Sequence, residues 1–592
     1  MTAILKNSQN ISRRKNIGTG LMVFSEFQEC NSYYVDKTSF IKDLMNDGKQ
    51  TLLFTRPRRF GKTLTQSMLK EFLCLNYEAR PDHDEKLHKL FDHLQVSSDP
   101  EFCKQHMGRY PVIFVSFKGI DQPYFEGMRS ELIRLVRTLY RSFAFLLEGG
   151  KIGEFDLNSF REYAEFNNLK SRYEEDSLIT GCLEFLCELL KKIYDQKVIV
   201  LIDEYDVPIN RGHSCGFYDQ ILPLIRGMLY PVVKDDRGLV KKCVVTGCNR
   251  ISKESIFTGM NNAVVYSMSN PKYADVFGFT KKEVEALLEY YSLEHKKETI
   301  KEWYDGYRFG EASIYNPWDV MSYCDAVLND PKAQPENYWS NTSGNEIIKE
   351  FIDYADEDSL NKMQELLEGK TVKVKIDEQL VYPDLEKAHS SVQLFSVLYS
   401  SGYLTALSTD KAGYELKIPN KEILELFKEL ATAFYSDPKT AFYLSARELP
   451  KLMAKGYPGP VESRMNALLS RYLSVRNTGY EIAYHSFFLG ILSQILSEEG
   501  QLRSEAEAGD GYADISFIEG TTGIILEFKK AQAGESAELL AKQAVKQAQD
   551  KHYQRVFSGF PIKAVIIYGI ACRGKKTVVD NLSFSFNDDF KR

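Results

Sequence analysis

An α/β fold built on a parallel sheet is predicted by three observations. Thr51 opens a short apolar strand, Leu52-Leu53-Phe54, which turns through Arg56-Pro-Arg-Arg-Phe-Gly61 into a helix beginning at Lys62-Thr63. Leu64, Met68, Leu69 and Phe72 then recur at helical spacing. Lys197-Val-Ile-Val-Leu-Ile-Asp203 carries an unbroken apolar run, as a strand buried on both faces does. Pro111-Val-Ile-Phe-Val-Ser-Phe117, Lys242-Cys-Val-Val-Thr246 and Ala263-Val-Val-Tyr266 supply further strands, and a long helical stretch runs from Tyr124 to Asp195.

A strand feeding a helix through Gly61-Lys62-Thr63 is a phosphate-holding arrangement. First-turn N–H groups lack intrahelical partners and point at the anion. Lys62 adds a mobile positive charge, and Thr63 offers a hydroxyl to Mg²⁺. The usual loop starts with a glycine five residues before Gly61; Arg56 stands there, and Pro57 removes one N–H donor. Arg58 and Arg59 can replace some of the anion attraction. Asp203 fits the Mg²⁺-associated carboxylate and Glu204 the base that orients water against a γ-phosphate; the bland alternative is two solvated carboxylates at a loop. Asn249, after the Lys242–Thr246 strand, is the candidate γ-phosphate sensor, and Arg250 a finger acting in cis or on a neighbouring subunit of a homo-oligomer. The expected ligands are ATP and Mg²⁺.

Arg56-Pro-Arg-Arg-Phe-Gly-Lys-Thr63, with Tyr34-Val-Asp-Lys-Thr38, Asp203-Glu-Tyr-Asp206, Thr246-Gly-Cys-Asn-Arg250, Tyr304-Asp-Gly-Tyr307 and Asn316-Pro-Trp318, resembles the predicted AAA-ATPase-like family of bacteria. In that family an arginine-rich loop without the first glycine is the usual form. The resemblance implies a P-loop NTPase-like parallel sheet, commonly joined to a C-terminal PD-(D/E)XK nuclease-like domain of restriction-endonuclease type.

A second chemical site lies near the C-terminus. Asp514-Ile-Ser-Phe-Ile518 and Thr522-Gly-Ile-Ile-Leu-Glu527-Phe-Lys529 read as two strands joined by a turn. Glu527 and Lys529, two apart, project to one face, and Asp514 on the partner strand can approach them. Two carboxylates and a lysine suit Mg²⁺-dependent phosphodiester hydrolysis: Asp514 and Glu527 hold the metal, and Lys529 orients water or stabilises developing charge. A surface Glu–Lys salt bridge is the competing explanation. By resemblance to the PD-(D/E)XK superfamily, Glu481 matches its helix acid, and Gln547 and Tyr553 match a Gln…Tyr helix that positions substrate. Tyr512 stands where that family often has arginine, which puts one phosphate contact in doubt. Lys530, Lys542, Lys546, Lys551 and Arg555 are candidates for a local basic face or a solvated helix.

The 592 residues, 43% hydrophobic and 27% charged, suit a multidomain globular chain, and a net charge of −7 does not suggest wholesale nucleic-acid coating, so any nucleic-acid contact must use local basic surface. Ten scattered cysteines form no zinc spacing. No apolar run reaches membrane-spanning length, and the polar N-terminus lacks a signal-peptide core, so a cytoplasmic location is expected. The expected domains are a polar arm over 1–25, an ATPase over 26–270, a helical and winged-helix-like lid over 271–440, and the nuclease-like domain over 441–592. Together they predict an ATPase coupled to a Mg²⁺-dependent nuclease acting on nucleic acid, DNA foremost, in defence or mobile-element control. The alternative is an ATP-dependent switch whose nuclease-like fold only binds.

Overall fold

The computed structural model describes residues 14–77, 79–147, 152–166, 171–248, 262–339, 357–377, 391–435, 449–472, 481–496, 502–508, 511–532 and 534–585. The chain divides into two compact units: one holds residues 1–341, 373–388 and 392–422, the other 342–372, 389–391 and 423–592. The accessory residues 271–440 are thus shared between the two units.

The first unit is built on five parallel strands, β1 (Thr51–Thr55), β2 (Val112–Ser116), β3 (Val198–Asp203), β4 (Val240–Gly247) and β5 (Ala263–Tyr266), in the order β2-β3-β4-β1-β5. Every residue of β1 and β3 is buried, as their unbroken apolar runs predict. The order inserts β4 between the phosphate-loop strand and the acidic strand. Because all five run the same way, Thr55, Ser116, Asp203 and Gly247 finish at one edge of the sheet, where α/β folds bind ligands. Helix α1 (Lys62–Leu73) leaves that edge. The helices Phe125–Ser142, Arg172–Tyr194 and Tyr218–Lys234 cover the sheet through a core that includes Ile113, Leu132, Leu183, Ile202 and Val245.

The accessory residues of this unit pack on the phosphate loop. Phe60 meets Tyr307 and Phe309 edge-on and tilted, at 4.9 and 5.2 Å. Gly402 sits at φ 92° with its missing Cβ directed at Pro57, so any side chain there collides with the loop. Helix α2 (Pro317–Asn329) is capped by Asn316, whose side chain accepts from the Trp318 N–H. Thr280 and Glu283 form a capping box, and Glu283 also binds Lys37 at 2.7 Å. The helix and strand pair read as winged-helix-like are the helix Ser391–Ser401 and the hairpin Thr405–Asp410/Gly413–Lys417. Within the polar arm, Arg14 donates to the Tyr291 carbonyl and to Ser292.

The second unit carries a mixed sheet of β6 (Leu502–Ala508), β7 (Gly511–Glu519), β8 (Thr522–Lys530), β9 (Ala564–Arg573) and β10 (Lys576–Ser585), in sequence order. Only β8 and β9 are parallel, and helix α4 (Ala537–Asp550) makes their crossover. Helix α3 (Glu481–Ile495) places Phe487, Phe488 and Ile491 against Leu526 and Phe528, while α4 places Val545 and Ala548 against Ile525 and Ile567. Alternation along β8 therefore sends Ile525, Glu527 and Lys529 to the α4 side. Gly569, beside Glu527 on β9, is required there: a Cβ would lie 2.1 Å from the Ala541 carbonyl oxygen of α4.

Candidate active sites

At the first site Gly61 takes the left-handed φ of 81° that starts α1, a conformation glycine adopts without strain. Lys62 is buried, and its ammonium donates to the Arg56 and Pro57 carbonyls at 3.0 and 2.9 Å, curling the loop around it. Thr63 donates to Asp203 Oδ2 at 2.8 Å. The hydroxyl and carboxylate predicted to share a metal are therefore adjacent, although 140 residues apart in sequence. Glu204 follows with φ 50°, a left-handed backbone for a non-glycine residue. Burial raises the Glu204 pKa and the neighbouring Asp203 and Asp206 raise it further, against Lys62 and Lys118. A carboxylate shifted upward in this way is suited to accept a proton.

Three polar residues at this site escaped the sequence reading. Thr246, ending β4, donates to Asp203 Oδ1 at 2.7 Å. Gln66 donates to Thr246 Oγ1 and to the Ile202 and Val244 carbonyls. Ser116 reaches Asp203 Oδ2 at 3.5 Å. A hydroxyl at the C-terminal end of a buried strand was the available signal. Asn249, chosen as the sensor, and Arg250 lie outside the described residues.

The loop arginines separate into different roles. Arg56 is completely buried. It donates to the carbonyls of Thr55, Tyr266 and Tyr273 and lies over Phe277 and Phe309. Burial lowers its pKa. It ties the loop to the segment after β5 instead of facing a phosphate. Arg56→Gly, which restores the usual loop glycine, is accordingly expected to destabilise the protein by about 3 kcal/mol; a denaturant midpoint equal to wild type would refute this. Arg58 is exposed, and its charge acts on Cys248 beside Lys62. Arg59 turns to the accessory residues: it donates to the Tyr338 carbonyl at 2.5 Å and stacks 4.3 Å from the centre of Trp318.

At the second site Ile515 pairs with Leu526, so the same register brings Asp514 opposite Glu527. Asp514 Oδ2 accepts from the Phe528 N–H at 2.7 Å. Glu527 is 2% exposed on an apolar strand. Its Oε1 accepts from Lys529 at 3.2 Å and from Gln547 at 2.6 Å. The Gln547 amide is also 3.5 Å from the Tyr553 hydroxyl. Asp514, Glu527, Lys529, Gln547 and Tyr553 are thus one constellation. Burial raises the Asp514 pKa against the Phe528 N–H, His485 and Lys529. His485, also missed, bonds the Asp514 carbonyl at 3.0 Å and Ser504 at 3.2 Å. Glu481 is the first residue of α3, but its side chain lies outside the described residues. Tyr512, at the position of the missing arginine, is 63% exposed.

Each donor set fits a hard divalent cation. Asp203 with Thr63, and Asp514 with Glu527, offer oxygen only, and hydrogen bonds from Thr246, the Phe528 N–H and Gln547 orient the carboxylates. No cluster of three or more His, Cys, Asp or Glu side chains with metal-binding geometry occurs among the described residues, which do not include the Glu481 side chain.

The fold and the two sites define a phosphate-loop ATPase-like module followed by a restriction-endonuclease-like module. Residues 18–257 match the family model described as predicted AAA-ATPase, and residues 479–581 match that of the PD-(D/E)XK nuclease superfamily. The chain therefore contains an AAA-ATPase-like domain and a C-terminal PD-(D/E)XK superfamily domain. It is also similar to an uncharacterized protein from the vnfD 5′ region of Azotobacter chroococcum mcd 1, at 25% identity over 557 residues, covering 91% of this chain and 93% of the relative. No helix among the described residues is long and apolar enough to cross a membrane.

Proposed function

We propose that this protein binds and hydrolyses ATP with Mg²⁺ at the first site and uses that cycle to control metal-dependent cleavage of nucleic acid at the second. The carrying observation is that separate stretches of chain converge on two polar clusters: Thr63, Asp203 and Thr246 beside Lys62 and Glu204, and Asp514, Glu527, Lys529 and Gln547 joined by hydrogen bonds around β8. In the first, Lys62 neutralises phosphate, Thr63 and Asp203 hold Mg²⁺, Thr246 fixes the orientation of Asp203, and Glu204 takes a proton from the attacking water. Arg58, beside the loop, contributes positive potential, and Asn249 is the γ-phosphate sensor. In the second, Asp514 and Glu527 hold the metal, which when bound supplies Lewis acidity. Lys529 orients water or stabilises the developing oxyanion, Gln547 and Tyr553 position the backbone, and Glu481 adds a third acid. DNA is the favoured substrate, in defence or mobile-element control, with 26–270 as the ATPase, 441–592 as the nuclease and 271–440 as the lid; the setting is the cytoplasm, and a homo-oligomer would let Arg250 act in trans.

Glu204→Gln separates binding from hydrolysis. It is expected to lower steady-state ATP turnover by about a hundredfold or more while nucleotide affinity stays within a few-fold, because only the proton acceptor is lost. Phosphate release and calorimetric binding on the same preparation check this; turnover unchanged in the variant would remove Glu204 from the mechanism. The exposed tyrosine at 512 favours a second reading, in which the C-terminal module binds nucleic acid without cutting it. Incubating the whole chain with single- and double-stranded DNA and RNA, with Mg²⁺ or Mn²⁺ and with or without ATP, decides between them: binding without any cleavage supports the second.

A further inference from the structure

Behind the phosphate loop lies a pair of buried acids that neither site uses. Asp319, in the first turn of α2, is fully buried, and Glu422 is 1% exposed. Glu422 Oε1 accepts from the Trp339 N–H at 2.9 Å. Among the described residues, the Asp319 oxygens and Glu422 Oε2 have no hydrogen-bond partner beyond the opposite acid and the Tyr338 backbone beside Glu422. Two carboxylates cannot both stay ionised side by side in the interior, so they share a proton. Burial raises both; Glu422 raises Asp319 further, well above the carboxylate range, while the hydrogen bond from Asp319 works against burial at Glu422, which is raised to about 7. The tyrosines that face the pair, Tyr304, Tyr307 and Tyr338, are themselves held neutral, with pKa values raised by burial and by the two acids. The cation acting on both acids is Arg59, which the phosphate loop sends to Trp318 and the Tyr338 carbonyl.

Arg59 therefore has two competing anions. On the accessory side is a shared carboxylate of one net charge. On the loop side, four residues from Thr63, is the expected site of a triphosphate, which carries several charges at close range and exerts the stronger pull. The side chain is only half-buried and borders a cavity of about 560 Å³ that Thr19, Trp318, Gln334 and Tyr338 also line, so it has room to turn.

We infer that Asp319 and Glu422 are positioning residues for Arg59, and that a bound triphosphate draws Arg59 off Trp318 and leaves the acid pair to take up a proton from solvent. This inference rests on the proposed ATP site. It couples the phosphate loop to α2 and to the Tyr338–Trp339 segment, and it sets a sign. Losing the cation raises the pair's affinity for a proton, so binding consumes up to about one proton and weakens as pH rises above 7.

The test is calorimetric titration of the whole chain with ATP–Mg²⁺ at about pH 8, in buffers of different ionisation enthalpy. Wild type should show buffer-dependent heat equivalent to net proton uptake. The Asp319→Asn/Glu422→Gln double variant, isosteric and unable to titrate, should bind with that uptake removed. Equal proton numbers in the two proteins would overturn the inference while leaving the ATP site intact; no binding heat from wild type would overturn both. A second measurement needs no acid variant. All three tryptophans, Trp303, Trp318 and Trp339, lie in the accessory residues. Saturating ATP–Mg²⁺ should change tryptophan emission in wild type, and Trp318→Phe should remove most of that change; an unchanged wild-type spectrum at saturation would overturn the inference.

Discussion

Lys62→Ala is expected to weaken ATP binding by about two orders of magnitude, the loss of one charge-assisted contact to phosphate in a partly desolvated site. Its ammonium is already gathered into the loop by the Arg56 and Pro57 carbonyls and lies 3.3 Å from Cys248 Sγ. Moving from those partners to a phosphate exchanges neutral acceptors for an anionic one, so the gain on binding exceeds what is given up. The same contacts shape the loop, and alanine loosens it. Calorimetry against ATP–Mg²⁺ should therefore be paired with a denaturation curve. Wild-type affinity in a folded Lys62→Ala protein would show that the loop is not a phosphate site.

Lys529→Ala is expected to lower metal-dependent cleavage by about a hundredfold to a thousandfold, the usual cost of removing one group that stabilises charge in the transition state. Glu527 keeps its 2.6 Å hydrogen bond from Gln547, and Asp514 keeps the Phe528 N–H, so both metal-holding carboxylates retain their supports. Metal binding, followed by Mn²⁺ titration, should consequently survive while cleavage falls. ATP turnover should not change, because Lys529 belongs to the other compact unit. Cleavage at the wild-type rate would assign the activity to a contaminant or to a different site. Cleavage absent from both proteins would favour the binding-module reading.

How much of each site could be read in advance depends on the range of the interactions that build it. Lys62 and Thr63 follow from a local pattern, an apolar strand turning through glycine into a helix. Glu527 and Lys529 follow from the period of a strand, which puts residues two apart on one face. Asp203 stands out as the acid closing a fully apolar run. Gln66 and His485 carry no such mark, and Thr246 and Ser116 only a hydroxyl at the end of a buried strand. Each becomes part of a site only because a distant strand or helix arrives beside it: Thr246 is 43 residues from Asp203, and His485 is 29 from Asp514.

The arginines of the loop make the same division sharper. Residue order alone determined that a basic, glycine-poor loop precedes Lys62, that two α/β modules follow one another, and that each ends its apolar strands in chemistry. It did not determine where the guanidinium groups point. The tertiary structure buries Arg56 against Phe277 and Phe309, and it draws Arg59 to Trp318, near Asp319 and Glu422. A long charged side chain takes its direction from whichever carbonyls, rings and carboxylates the folded chain brings within reach, and those partners lie more than 200 residues away.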